Sequence, residues 1–116
     1  MSYPVTVKPK KVIGGDYVVL ASVQFKKKES LEFVDLSEWV NWRAHWRPTR
    51  ESSEFLVLEV FTDRLNEGYI TVVASEELTS EMKRAGVWDV EAELEGHPRT
   101  WLYGETGWSK GVTRDD

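Results

Sequence analysis

The chain has 116 residues, no cysteine, and a net charge of −5 from 15 Lys/Arg against 20 Asp/Glu. That length supports one hydrophobic core and not two, and the missing thiols exclude zinc ribbons, thiol catalysis and a disulfide-stapled scaffold. The opening M-S-Y-P-V-T-V-K-P-K has no apolar signal-type run and no stretch is long enough to cross a bilayer, which predicts a soluble protein made in the cytoplasm and no membrane partner.

The charge is unevenly spread. Residues 1–28 hold six lysines against Asp16, while the remainder holds nine Lys/Arg against nineteen Asp/Glu. A basic arm and an acidic body suit head-to-tail contact between copies, and the acidic body disfavours nucleic acid as a partner.

In chain order, Pro4 and Pro9 bracket Val5 and Val7 in an extended arm or edge strand over residues 1–15, because proline cannot serve a central ladder. After Gly14-Gly15, the residues Tyr17, Val19, Ala21, Val23 and Phe25 alternate through a first long strand with one face inward. Residues 26–30 read as a charged turn, and residues 31–36 as a short strand or strand-like crossover. Val40, Trp42, Ala44 and Trp46 then fall on an inward parity, with Asn41, Arg43, His45 and Arg47 outward, and Pro48 ends that strand. Residues 49–54 form a polar loop. Residues 55–61 and 69–74 are two further strands, the first placing Leu56, Leu58 and Val60 on one face.

Ser75 caps a short helix, Glu76–Ala85, with Glu76 and Glu77 in its first turn, Lys83 and Arg84 in its last, and Gly86 as its stop. Next comes V-W-D-V-E-A-E-L-E, residues 87–95. Trp88, Val90, Ala92 and Leu94 lie on one parity and Asp89, Glu91, Glu93 and Glu95 on the other, the pattern of a half-buried antiparallel strand. The turn E-G-H-P leads to a strand over residues 99–104 and a last segment ending at Val112. The expected fold is all-β: a single sandwich domain, residues 16–114, of about seven or eight strands with one short helix. A barrel of the same strand number has the same periodicity.

Catalytic parts are sparse. His45 and His97 are the only histidines, one on an outward strand parity and one in a turn, and neither stands beside a nucleophile motif or a metal-ligand spacing. The sequence therefore predicts no enzyme, no cofactor and no metal. Six tryptophans, at 39, 42, 46, 88, 101 and 108, are the anomaly. Parity places Trp42, Trp46 and Trp88 inward; Trp101 alternates with Leu102, so one of the two faces out, and Trp39 and Trp108 stand near strand ends. An exposed tryptophan marks a protein interface or, less often, a platform for a glycan ring.

The order of G-D-Y, F-V-D-L-S-E-W, R-A-H-W-R-P, S-E-E-L-T-S-E-M-K-R-A-G, V-W-D-V-E-A-E-L, W-L-Y-G-E and V-T-R resembles a family of small bacteriophage β-sandwich proteins, from about residue 15 to residue 114. That family includes the collar proteins that ring the tails of siphophages and hold side fibres. The resemblance implies an immunoglobulin-like antiparallel sandwich that works by assembly in the virion, as a homo-oligomeric ring bound to other tail or capsid proteins. It carries over scaffold positions only: Asp35-Leu36, the helix at 75–86, Asp89 and Thr113-Arg114. Ser37-Glu38-Trp39 in place of the family's T-G-Y turn, and the added Lys26, Lys27 and Lys28, are departures where local contacts would differ. The expected contact residues are Lys8, Lys10 and Lys11 on the arm, Glu91 and Glu93 on the acidic face, and Trp101. A capsid decoration protein, or a carbohydrate-binding module using Trp39, Trp101 or Trp108 on host-wall glycans, are the competing expectations.

Overall fold

The computed structural model describes residues 4–111; the expected end of the last strand at Val112 and the Thr113-Arg114 positions lie outside them. The elements are β1 (Val5–Thr6), β2 (Lys10–Ile13), β3 (Val18–Gln24), β4 (Val40–Arg47), β5 (Leu56–Phe61), β6 (Tyr69–Ala74), α1 (Glu76–Met82), β7 (Gly86–Leu94) and β8 (His97–Ser109), with a 3₁₀ turn at Leu65–Glu67. Eight strands form one curled sheet, a half-barrel, in the order β1-β8-β7-β4-β5-β6-β3, with β2 also bonded to β8. β5 changes partners along its length: Leu56–Leu58 face β4, whereas Glu59–Phe61 face β6. This shared strand lets the sheet turn a corner and wrap a single core.

Two features depart from the purely antiparallel expectation. β1 and β2 run parallel to β8, in the registers Val5↔Leu102 and Lys10↔Thr106. The segments expected at 99–104 and beyond are one continuous strand, β8, long enough to hold both arm strands on one side and β7 on the other.

Bulges redirect side chains at three places. In β3 the register slips between Val19 and Ala21, so Leu20 and Ala21 are both buried while Tyr17 and Val19, expected inward, are exposed. In β4 the slip lies between Val40 and Arg43, with Asn41 in the left-handed region at φ 56°. Val40 is turned out to solvent in consequence. In β8 the partner of Val90 is Leu102 but that of Glu91 is Thr100, so Trp101 is the extra residue. Both Trp101 and Leu102 therefore enter the core, and the expectation of Trp101 as a surface contact is corrected: it is 2 % exposed.

The helix also ends earlier than its pattern predicts. Ser75 Oγ accepts from Leu78 N at 3.3 Å, and Lys83 closes the helix in the left-handed conformation at φ 58°. Gly86 opens β7 instead of stopping the helix, because the Trp46 indole lies where its Cβ would be. Buried Thr79 anchors α1 to the turn before β3: its Oγ1 accepts from Gly15 N at 3.0 Å and donates to the Asp16 carbonyl at 2.8 Å, while its own carbonyl accepts from Trp108 Nε1 at 2.7 Å.

The tryptophans are distributed in two groups plus one tie. On the inner face Trp46, Trp88 and Gly104 stand in one cross-strand row. Trp46 leans over Gly86 and donates to Thr106 Oγ1 at 2.9 Å, and Trp88 leans over Gly104, where a Cβ would come within 2.5 Å of the indole. Glycine in the neighbouring strand is what makes room for each ring. At the other end Trp101 meets Trp39 edge-on at 4.9 Å, Phe25 edge-on at 5.3 Å and Trp42 at 5.9 Å. Aromatic edge-to-face packing of this kind adds about 0.5–1.5 kcal/mol per pair beyond burial. Trp108 lies over Gly14 and ties β8 to the arm and α1.

Candidate functional site: a polar groove on the outer face of the sheet

The outward parity of β4 carries Arg43, His45 and Arg47, and that of β7 carries Asp89, Glu91 and Glu93. These strands are neighbours, with Arg43↔Glu91 and His45↔Asp89 directly opposed. One acidic pair is thereby answered within the chain: Arg43 donates to Glu93 at 2.7 Å and to Glu91 at 2.9 Å. The two bonds, that to Glu93 foremost, hold the Arg43 guanidinium pKa above its ordinary value. Glu91 and Glu93, expected to meet the basic arm of another copy, thus have a partner of their own on β4, with β7 and β8 between it and the arm strands. Lys8, Lys10 and Lys11 are exposed, and β2 registers Lys10 with Thr106 and Lys11 with Gly107, far along β8 from Thr100, the residue opposite Glu91. The strand rise along β8 separates Lys10 and Lys11 from Glu91 by roughly 20 Å within one protomer.

Beside the Arg43 cluster the same face forms a groove of about 450 Å³. Its floor is a register row running across four strands: His45 in β4, Asp89 in β7, Tyr103 in β8 and Thr6 in β1. Arg47, Arg50 and Thr100 form its walls. Asp89 is half-buried, and its pKa lies above the usual carboxylate range because burial strips it of water, with the charge of Glu91 adding to the effect and the attraction of His45, Arg47 and Arg43 opposing it. None of the ion pairs among the described residues includes Asp89.

Two arginines at the rim are held in place by aromatic faces. Arg47 lies 4.8 Å from the Phe55 ring centroid and donates to the Ser52 carbonyl at 2.7 Å. Arg50 lies 4.3 Å from the Tyr103 centroid and its Nε donates to the Tyr103 hydroxyl at 3.3 Å. His45 also stacks on Phe55, with ring centroids 4.3 Å apart. Neither Arg47 nor Arg50 has a carboxylate within ion-pair distance among the described residues. The groove can therefore accept hydrogen bonds at its centre and donate charged ones from its rim.

The parity of His45 and of Asp89 was readable from each strand alone. Their juxtaposition was not, because β4 and β7 are separated by two strands and a helix in sequence. Arg50 belongs to a loop without period, and nothing in the sequence marks its stacking on Tyr103. Among the described residues no cluster of His, Asp or Glu has the arrangement of a metal site, and no helix is long and apolar enough to span a membrane. Compared with known proteins, the chain matches no family model and no curated protein.

Proposed function

We propose that the protein is a structural subunit of a bacteriophage virion, a tail or baseplate collar protein with no enzymatic role. In this reading it is an immunoglobulin-like sandwich whose copies contact one another heterologously around the tail tube and hold fibres or other tail proteins. The observation that carries the assembly is the edge of β3. That strand, Val18–Gln24, is hydrogen-bonded among the described residues on one side only, to β6, and contains neither a charged residue nor a proline. Monomeric proteins protect such edges with lysine, proline or a covering segment, since an unprotected edge is a template for another chain. Exposed Tyr17 and Val19 at this edge supply apolar area, and Phe61 and Val57 are exposed on β5, beyond β6.

The ordered segments named in the sequence supply the phage assignment. Of the tryptophans in the glycan-platform alternative, Trp101 is buried, and Trp39 and Trp108 are partly buried against the core. Light scattering of the purified chain tests the assembly. A mass that is a multiple of the protomer is expected, falling toward one protomer in Val19→Lys, which places a charge at the edge. A wild-type mass of one protomer at every concentration would overturn the ring. Antibody labelling of virions tests the place: label on the tail supports the collar, label on the head replaces it with a capsid decoration protein, and unlabelled virions remove both.

A further inference from the structure

We propose that the groove over His45, Asp89 and Tyr103 binds an anionic saccharide, its acid group held by Arg47 and Arg50 and its ring hydroxyls by Asp89 and His45. The proposal rests on the groove alone and is independent of whether copies assemble. Three observations lead to it. The first is that Arg47 and Arg50 are fixed by stacking on Phe55 and Tyr103 and by bonds to Ser52 and Tyr103, so an incoming anion orders little that is not already ordered. Without a carboxylate at ion-pair distance among the described residues, their remaining N–H donors are available to an acid from outside.

The second observation is the carboxylate on the floor. Asp89 repels a ligand that offers only negative charge, as an acidic peptide side chain or a nucleic-acid backbone does, and it accepts from hydroxyl groups. The arginines at the rim in turn repel a simple cation. A ligand that satisfies both must join an acid to hydrogen-bond donors a few ångströms away, which is the layout of a uronic acid or a sugar phosphate. The third is size and lining: about 450 Å³ falls within the range of roughly 300–1,000 Å³ usual for small-ligand sites. The hydroxyls of Thr6, Thr100 and Tyr103 line it, and none of the tryptophan faces is needed.

Isothermal titration calorimetry on the full chain at low salt, with galacturonate, glucose 6-phosphate, neutral galactose and tetraglutamate as separate titrants, tests this. Saturable binding of galacturonate or glucose 6-phosphate is expected, with galactose at least about tenfold weaker, since it lacks the charge-assisted bonds. Which acid binds decides between a carboxylated and a phosphorylated sugar. Arg50→Gln, at an exposed loop position whose loss leaves the sheet intact, should weaken the acid sugar by about tenfold. Asp89→Asn should do the same for the sugar while making tetraglutamate a better titrant. No heat with either acid sugar, equal affinity for galactose, or tighter binding of tetraglutamate to the wild type would each overturn the proposal.

Discussion

At the scale of single residues, Asp89 links the groove to stability. Its folded-state pKa is raised by burial and by Glu91, so the folded chain holds that proton more tightly than the unfolded one. Stability from this group is therefore lost as pH rises from the ordinary aspartate value, about 4, through the raised folded value. Asp89→Asn removes the cost: its melting temperature should exceed that of the wild type at pH 7, with the difference vanishing as pH falls below the ordinary aspartate range. A difference independent of pH would show that another effect dominates. Gly104 illustrates the opposite kind of residue, one defined by what it lacks. A methyl group there meets the Trp88 indole, and Gly104→Ala should cost about 1–3 kcal/mol by urea unfolding, with part of the loss restored in the Trp88→Phe background. Trp101→Ala removes the ring that joins Phe25, Trp39 and Trp42 and should cost about 3–5 kcal/mol, the mark of a core position and far above a surface one.

Elements show where sequence periodicity succeeds and where it stops. β7 is the case of success: Trp88, Val90 and Ala92 are buried on the parity that the alternation marked, and the acidic residues face out. β3, β4 and β8 each contain one residue beyond the partner strand's count. A period of two has no symbol for an inserted residue, so every side chain on the far side of a bulge is assigned to the wrong face. That is why Tyr17, Val19 and Val40 are exposed and Trp101 is not. The groove escaped the sequence for a related reason: it depends on strands that pair across long separations and on an arginine stacked from a loop. Helix α1 was legible at its cap and less so at its end, where the Trp46 ring claims Gly86 for the sheet. The helix is held through Thr79, and Thr79→Val leaves Gly15 N and the Asp16 carbonyl without their partner. The expected loss is about 1–3 kcal/mol, together with faster amide exchange at Gly15.

For the whole molecule the separation of charges matters more than their sum. The basic arm and the Glu91–Glu93 pair do not meet within one protomer, and Arg43 already occupies the pair. An electrostatic contact between copies through these two carboxylates must therefore share them with Arg43. Charge reversal at Lys8, Lys10 and Lys11 should still weaken association in a salt-dependent way, visible as a lower mass by light scattering at low ionic strength. Unchanged mass in that variant, across salt, would leave the β3 edge as the sole contact. The place of β8 has a further consequence, in time. It lies between β7 and both arm strands, so residues 5–13, synthesised well before residues 97–109, wait for them before they have a strand to pair with. A nascent chain stopped before His97 should thus be cut by protease within the arm and at β7, and protection of both should arrive together as the last strand emerges.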